Sequence, residues 1–169
     1  MCKTLYKVVV VGGGHAGYEA ALASARIGVK TLLITLNKEL IGRLPCNPSI
    51  GGIAKSHIVS EIDALGGELG KTADYTGIQY RMLNTRKGPA VQSNRIQCDK
   101  ELFPIRIQAI LKMQPNLDVL DDMVTAIRTK GSKICGVSTR RIGNIDSDSV
   151  VICTGTFLRG RVLIGMKSI

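Results

Sequence analysis

The chain has 169 residues, 44% of them hydrophobic and 21% charged, which is enough for one domain with a packed core. Its 23 Lys and Arg against 13 Asp and Glu leave a formal charge of +10, which favours a polyanionic partner such as RNA over a small neutral substrate, or else marks a solubility surface. Two Phe, four Tyr and no Trp argue against reading single-stranded nucleic acid by base stacking, and no apolar run nears the ~20 residues of a membrane span.

In chain order, the first seven residues show no signal- or transit-peptide pattern and lead into residues 8–11, four valines in succession. Such a β-branched run predicts a parallel strand buried on both faces. Gly12, Gly14 and Gly17 then fit G-x-G-x-x-G where a strand would turn into a helix. Gly12 permits the tight turn, Gly14 admits a pyrophosphate close to the backbone, and Gly17 lets the helix pack on the strand. Gly13, His15 and Ala16 complete the loop that would face the phosphates, with the unpaired N–H groups of the helix N-terminus behind it. The ring of His15 reads as structural rather than acid–base. Ala16, Ala20, Ala23 and Ile27 predict one buried helical stripe, and Gly28 ends the helix. Residues 31–34 (TLLI) read as a second strand, closing a β-turn-α-β unit of about 30 residues. A strand–turn–helix corner without a ligand is the bland alternative.

The acid that usually ends this second strand and holds a ribose hydroxyl is missing. Thr35, Leu36 and Asn37 stand there; Glu39 comes too late, and no Arg is present to attract a 2′-phosphate. Thr35 or Asn37 could bind a ribose with a neutral group. The departure weakens NAD as the ligand and leaves FAD open.

Residues 36–52 read as a loop rich in Gly, Pro and Asn, the place where α/β folds keep their chemistry. Within it, Cys46 precedes Asn47, Pro48, Ser49 and two glycines, ahead of a helix predicted over 53–65 with Ile58, Ile62 and Leu65 on one stripe. Gly51 and Gly52 would leave N–H groups free for an anion or a flavin oxygen, and a helix N-terminus would favour the Cys46 thiolate. Cys46 is therefore either a nucleophile or a small buried hydrophobe. The other cysteines read as structural: Cys135 and Cys153 as core residues of strands, Cys2 terminal, Cys98 without a partner. Five cysteines without C-x-x-C spacing, and two histidines without ligand spacing, predict no disulfide framework and no metal site in a reducing, cytoplasmic compartment. His57 and Glu61 read as a surface pair.

Residues 68–98 give mixed signals, with Arg81, Arg86, Lys87, Arg95 and Lys100 nearby as a phosphate grip or a solvated face. A helix is predicted over 99–114, regular from Pro104. Strands follow at 117–120, 124–128, 134–139 and 150–153, the middle pair forming a hairpin about Gly131. The expected fold is α/β, a Rossmann-like domain of the glutathione-reductase type.

The stretches GGGHAGYEAA at 12–21, CNPSIGGIAK at 46–55, EIDALGG at 61–67, RMLNTRKGPAVQSNR at 81–95 and TGTFLRG at 154–160 together resemble the MnmG family, also called GidA. These are FAD-dependent tRNA uridine 5-carboxymethylaminomethyl modification enzymes. The resemblance implies that residues 12–17 cradle the FAD pyrophosphate, that Val124 meets the adenine side through its backbone, and that Cys46 is a functional thiol near the flavin. It implies NADH as a further cofactor, tRNA and the GTPase MnmE as partners, and a homodimer that becomes a heterotetramer with MnmE, with no membrane. Arg159 stands where the resemblance expects an acid. The family is longer, so the expectation is an amino-terminal FAD-binding piece spanning 1–169, incomplete at its C-terminus, that binds FAD weakly and is inactive alone. A folate- and FAD-dependent tRNA uracil methyltransferase of the TrmFO kind, a flavin or nicotinamide oxidoreductase of small molecules, and a non-catalytic nucleotide-binding module are the alternatives.

Overall fold

In the computed structural model, β1 (Val8–Val11) and β2 (Thr31–Thr35) pair in parallel, Val8 opposite Thr31, with α1 (His15–Arg26) crossing between them. The structure describes residues 6–158, 160, 163–165 and 167–168, so Cys2 and Arg159 lie outside the described residues. The strands β3 (Ser49–Gly51), β4 (Gly77–Leu83) and β5 (Ser93–Cys98) form a separate antiparallel sheet in the order β3-β5-β4. Two helices, α2 (Lys55–Ala64) and α3 (Leu69–Thr76), precede β4, and α4 (Leu102–Met113) follows β5. Strand β6 (Leu117–Asp121) then joins β2. After the antiparallel sheet β7 (Val124–Lys130), β8 (Lys133–Thr139) and β9 (Asn144–Asp146), the chain returns in β10 (Ser149–Ile152) beside β1. The parallel sheet thus runs β10-β1-β2-β6, the Rossmann-like order. Last, β11 (Leu163–Ile164) and β12 (Lys167–Ser168) form a two-stranded ribbon.

Three layers follow from alternation along the strands. Val10 and Leu33 point into a core built with Tyr18, Leu22, Phe103 and Ile107 of α1 and α4. Val9, Leu32 and Ile34 point the other way and meet Val137 of β8. The central strands are therefore covered by helices on one face and by the β7–β9 sheet on the other. This is why the valine run needs no polar alternation.

Three expectations need correction. The buried face of α1 is Gly17, Tyr18, Ala21, Leu22 and Ala25, whereas Ala16, Ala23 and Ile27 are exposed and Ala20 only half-buried. Alanines populate both faces of this helix, so its periodicity carries little contrast. The stripe on α2 is real as a pattern, but no residue of α2 is buried and Leu65, just beyond it, is 90% exposed. Cys135 and Cys153 are half-buried rather than core, and Cys98 is the one at 1% exposure, sealed at the end of β5. Pro104 occupies the third residue of α4, inside the first turn where no amide partner is lost.

Candidate functional site

The turn after β1 brings three glycines together for three different reasons. Gly12 has φ +109°, and a Cβ there would overlap the Cys153 carbonyl beyond β10. At Gly17 a Cβ would overlap the Gly12 carbonyl oxygen, so glycine is what lets α1 lie against the turn. Gly14 differs: its φ is −72°, and a Cβ there would meet nothing within 4 Å. No protein neighbour requires glycine at Gly14. It is the N-cap of α1, carries no capping side chain, and lies exposed at the carboxyl end of the parallel sheet. Free helix amides beside an uncluttered backbone suit a pyrophosphate, which needs close approach and positive potential. Gly13 is backed by Thr35 and Ile41, which a side chain there would strike.

His15, the first residue of α1, turns its ring inward. Nδ1 lies 3.0 Å from the Tyr18 hydroxyl, and the ring packs edge-on against Tyr18 and Phe103. Burial lowers its pKa, so the ring stays neutral at physiological pH and acts as a wedge between α1 and α4. The exposed Ala16 follows on the outer side of the same turn.

Next to the glycine turn, the carboxyl ends of β2 and β6 open into a cleft of about 470 Å³ lined by Leu36, Asn37, Glu39, Asp121, Asp122, Met123, Arg140 and Arg141. Glu39, on the turn that follows β2, lines this cleft. Residues 38–40 wind into a single 3-10 turn, capped by Asn37, whose Oδ1 accepts from the Glu39 amide at 2.8 Å. That bond commits the Asn37 oxygen to the backbone. Asp122 is the anchor of the cleft. Its carboxylate accepts from the amides of Met123, Arg141 and Ile142 at 2.7 to 3.2 Å, tying the exit of β6 to the turn after β8. Burial opposes its ionisation, but those amides and the Thr139 hydroxyl outweigh it and hold the pKa down to about 2. Val124 begins β7 directly after Met123 and is half-buried, packed against the cluster of Val9, Leu32, Ile34 and Val137. The parallel pairing of β2 with β6 joins residues 36–39 to 121–123, and the β7–β8 hairpin joins those to 140–141.

Cys46 sits in the loop before β3 and is exposed, which removes the buried-hydrophobe alternative. The helix-terminus argument for it also fails. The segment 49–51 is a strand, α2 starts only at Lys55, and the Gly52 amide donates to the Asn94 carbonyl at 2.8 Å. His57 and Glu61 are both exposed, and no ion pair joins them among the described residues. A smaller cleft of about 220 Å³, between α2, α3 and β3, includes no residue of the glycine turn. Among the described residues no cluster of His, Cys, Asp or Glu could hold a metal ion, and no helix is long and apolar enough to cross a membrane.

The parallel sheet, the open glycine turn and the covering β7–β9 layer define a Rossmann-like domain of the FAD-binding type. The family model described as glucose inhibited division protein A matches residues 7–169. The chain belongs to that family. The tRNA uridine 5-carboxymethylaminomethyl modification enzyme MnmG of Pelobacter propionicus is 53% identical over 161 residues, covering 95% of this chain and 26% of its own. The enzyme of the same name from Endomicrobium trichonymphae is 51% identical, covering 95% and 27%. The solved structure of Aquifex aeolicus GidA in its form II crystal superposes with a TM-score of 0.93 at 50% identity, over 100% of this chain and 28% of that one. A GidA-related protein from Thermus thermophilus shares the fold at 20% identity, with a TM-score of 0.65 over 98% and 60%. The chain thus spans about a quarter of the length of the curated relatives it matches.

Proposed function

We propose that this chain is the FAD-binding part of an enzyme that adds a carboxymethylaminomethyl (or aminomethyl) group to C5 of the wobble uridine of certain tRNAs, in partnership with the GTPase MnmE. The observation that carries the reading is the family match over residues 7–169, with relatives named for this modification. Residues 12–17 seat the pyrophosphate of FAD, and the open space over Gly14 supports that assignment. The Val124 backbone meets the adenine side, and Cys46 serves as a thiol beside the flavin. Bound FAD supplies the redox capacity of the reaction, with NADH as the reductant in the longer enzyme. The residues here bind and orient it, on a parallel sheet whose other face the β7–β9 sheet covers. The formal charge of +10 suits a tRNA partner, and the surroundings are cytoplasmic. A homodimer, and with MnmE a heterotetramer, is the assembly of the longer enzyme, of which 1–169 is the amino-terminal part.

The test is FAD titration of the purified chain, followed by flavin fluorescence, beside Gly14→Val. Binding that is present in the parent and lost in the variant, at unchanged thermal stability, supports the reading. Absence of FAD binding, or binding indifferent to Gly14→Val, overturns it.

A further inference from the structure

One face of the β3-β5-β4 sheet is polar and carries no acid. By alternation, Ser49 of β3, Ser93, Arg95 and Gln97 of β5, and Gln79 and Arg81 of β4 project from it, opposite to Ile50 and Ile96, which pack toward the core. Arg81 stands directly across from Arg95. Two like charges in that position disfavour the ladder unless an anion lies against both. Arg95 is half-buried, and its Nε and Nη2 both donate to the Ser49 hydroxyl oxygen at 3.3 Å. A neutral hydroxyl gives a guanidinium no counter-charge, and the Ser49 hydroxyl keeps its own proton free to donate. Arg81 is exposed, and neither guanidinium has an ion-pair partner among the described residues. One step along the same face, Ser93 is 3% exposed and its Oγ has no hydrogen-bond partner among the described residues. A buried hydroxyl without an acceptor costs stability, a cost that an incoming acceptor removes.

Resting on the tRNA-modification reading above, we infer that Arg81 and Arg95, with the hydroxyls of Ser49 and Ser93, clamp one of the two phosphodiesters that flank the uridine to be modified. The chemistry fits the face. A phosphodiester spreads one charge over two oxygens, and both can accept from planar guanidinium forks at once. A free amino acid fits worse, because its ammonium would meet two guanidinia and no carboxylate. The place fits too. Ser49 follows Cys46 by three residues, and its amide donates to the Asn47 carbonyl at 2.7 Å. The clamp is therefore built onto the loop that carries the thiol assigned above to the flavin, and a phosphate held there brings its own base to that loop. Arg86 and Lys87, at the exposed turn, meet whichever phosphates pass; Arg81 and Arg95 are fixed by strand register and meet one.

Binding of a fluorescent tRNA anticodon stem–loop to the full chain tests this, with a neutral methylphosphonate replacing one phosphate at a time. In the parent, replacement beside the target uridine should weaken binding about tenfold, the lower end of what a hydrogen bond to a charged group supplies, and replacement elsewhere in the loop should cost less. Arg81→Lys and Arg95→Lys keep the charge and lose the fork. Each should bind the unmodified loop about tenfold more weakly, with the parent's salt slope, and be indifferent to the methylphosphonate beside the uridine. Ser93→Ala should weaken binding several-fold while melting at or above the parent's temperature, since its hydroxyl serves no neighbour in the fold. The scan uses the parent alone, so it does not depend on how the variants fold. A scan in which no phosphate stands out, or in which one away from the uridine does, overturns the inference. So do lysine variants with the parent's affinity, and a parent that does not bind the stem–loop. A flat scan beside intact FAD binding sinks this assignment and spares the reading above; a flat scan in a chain that binds no FAD sinks both.

Discussion

At the residue scale, the glycine turn separates fold from ligand. Gly17→Ala places a methyl group on the Gly12 carbonyl, between two rigid backbone segments, so α1 must move off the turn. Its melting temperature should fall well below the parent's, and binding should fall with it. Gly14→Ala adds a methyl group to open space at an ordinary φ, so thermal stability should be unchanged while FAD affinity drops. A Gly14 variant that melts early, with FAD affinity tracking stability, would assign that glycine to the fold. Cys46 gives a second residue-scale test. It is exposed, whereas Cys98 is sealed and burial raises its thiol pKa, leaving little Cys98 thiolate to compete for an alkylating agent. If Cys46 lies beside the flavin, saturating FAD should slow its alkylation by iodoacetamide several-fold, read by peptide mass spectrometry. Equal rates with and without FAD would place the thiol away from the ligand.

At the element scale, the cleft depends on how β6, β7 and β8 are tied together, and Asp122 does the tying. Its pKa of about 2 lies below the ordinary carboxylate value of about 3.9. The unfolded chain therefore takes up that proton first as pH falls, so the stability Asp122 contributes is fully present above pH ~4 and is lost between ~4 and ~2. Asp122→Asn removes that dependence. Its melting temperature should lie below the parent's at pH 6, and the gap should close as the pH is lowered toward 2. A gap that stays constant with pH would mean that the amides of Met123, Arg141 and Ile142 find no special benefit in a charged acceptor. The same elements show what is legible from sequence. The strand, glycine turn, helix and second strand can be read because burial on both faces demands an unbroken apolar run. The β7–β8 hairpin can be read from its glycine turn. The segment that became α3, β4 and β5 resists reading because β4 leaves Ile78, Tyr80 and Met82 exposed, so its residue types do not report an inside and an outside. The cleft was illegible for another reason. Its walls come from residues 36–39, 121–123 and 140–141; the β7–β8 hairpin brings the last two together, but only the parallel pairing of β2 with β6 brings in the first.

At the scale of the whole molecule, four of the 23 basic residues gather in one acid-free stretch. Residues 79–98, spanning most of β4, its connecting loop and β5, carry Arg81, Arg86, Lys87 and Arg95 and no acid. Arg81 and Arg95 stand directly opposite each other in the β4–β5 register. Like charges in that position disfavour the ladder. Among the described residues, only Arg95 of these side chains finds an acceptor, donating from Nε and Nη2 to the Ser49 hydroxyl at 3.3 Å. Such an arrangement costs stability in isolation and becomes favourable against a chain of phosphates, whose counterions are released on contact. If tRNA lies along this hairpin, the logarithm of its affinity should fall linearly with the logarithm of salt concentration. The double variant Arg86→Glu/Lys87→Glu, at the exposed turn where neither side chain has a partner among the described residues, should weaken binding and flatten that slope by about 1.4 to 1.8, since each phosphate contact contributes roughly 0.7 to 0.9. Fluorescence anisotropy of labelled tRNA across a potassium chloride series reads both quantities. A double variant with the parent's slope would show that the hairpin does not touch the phosphates, and that the charge serves only to keep the surface solvated.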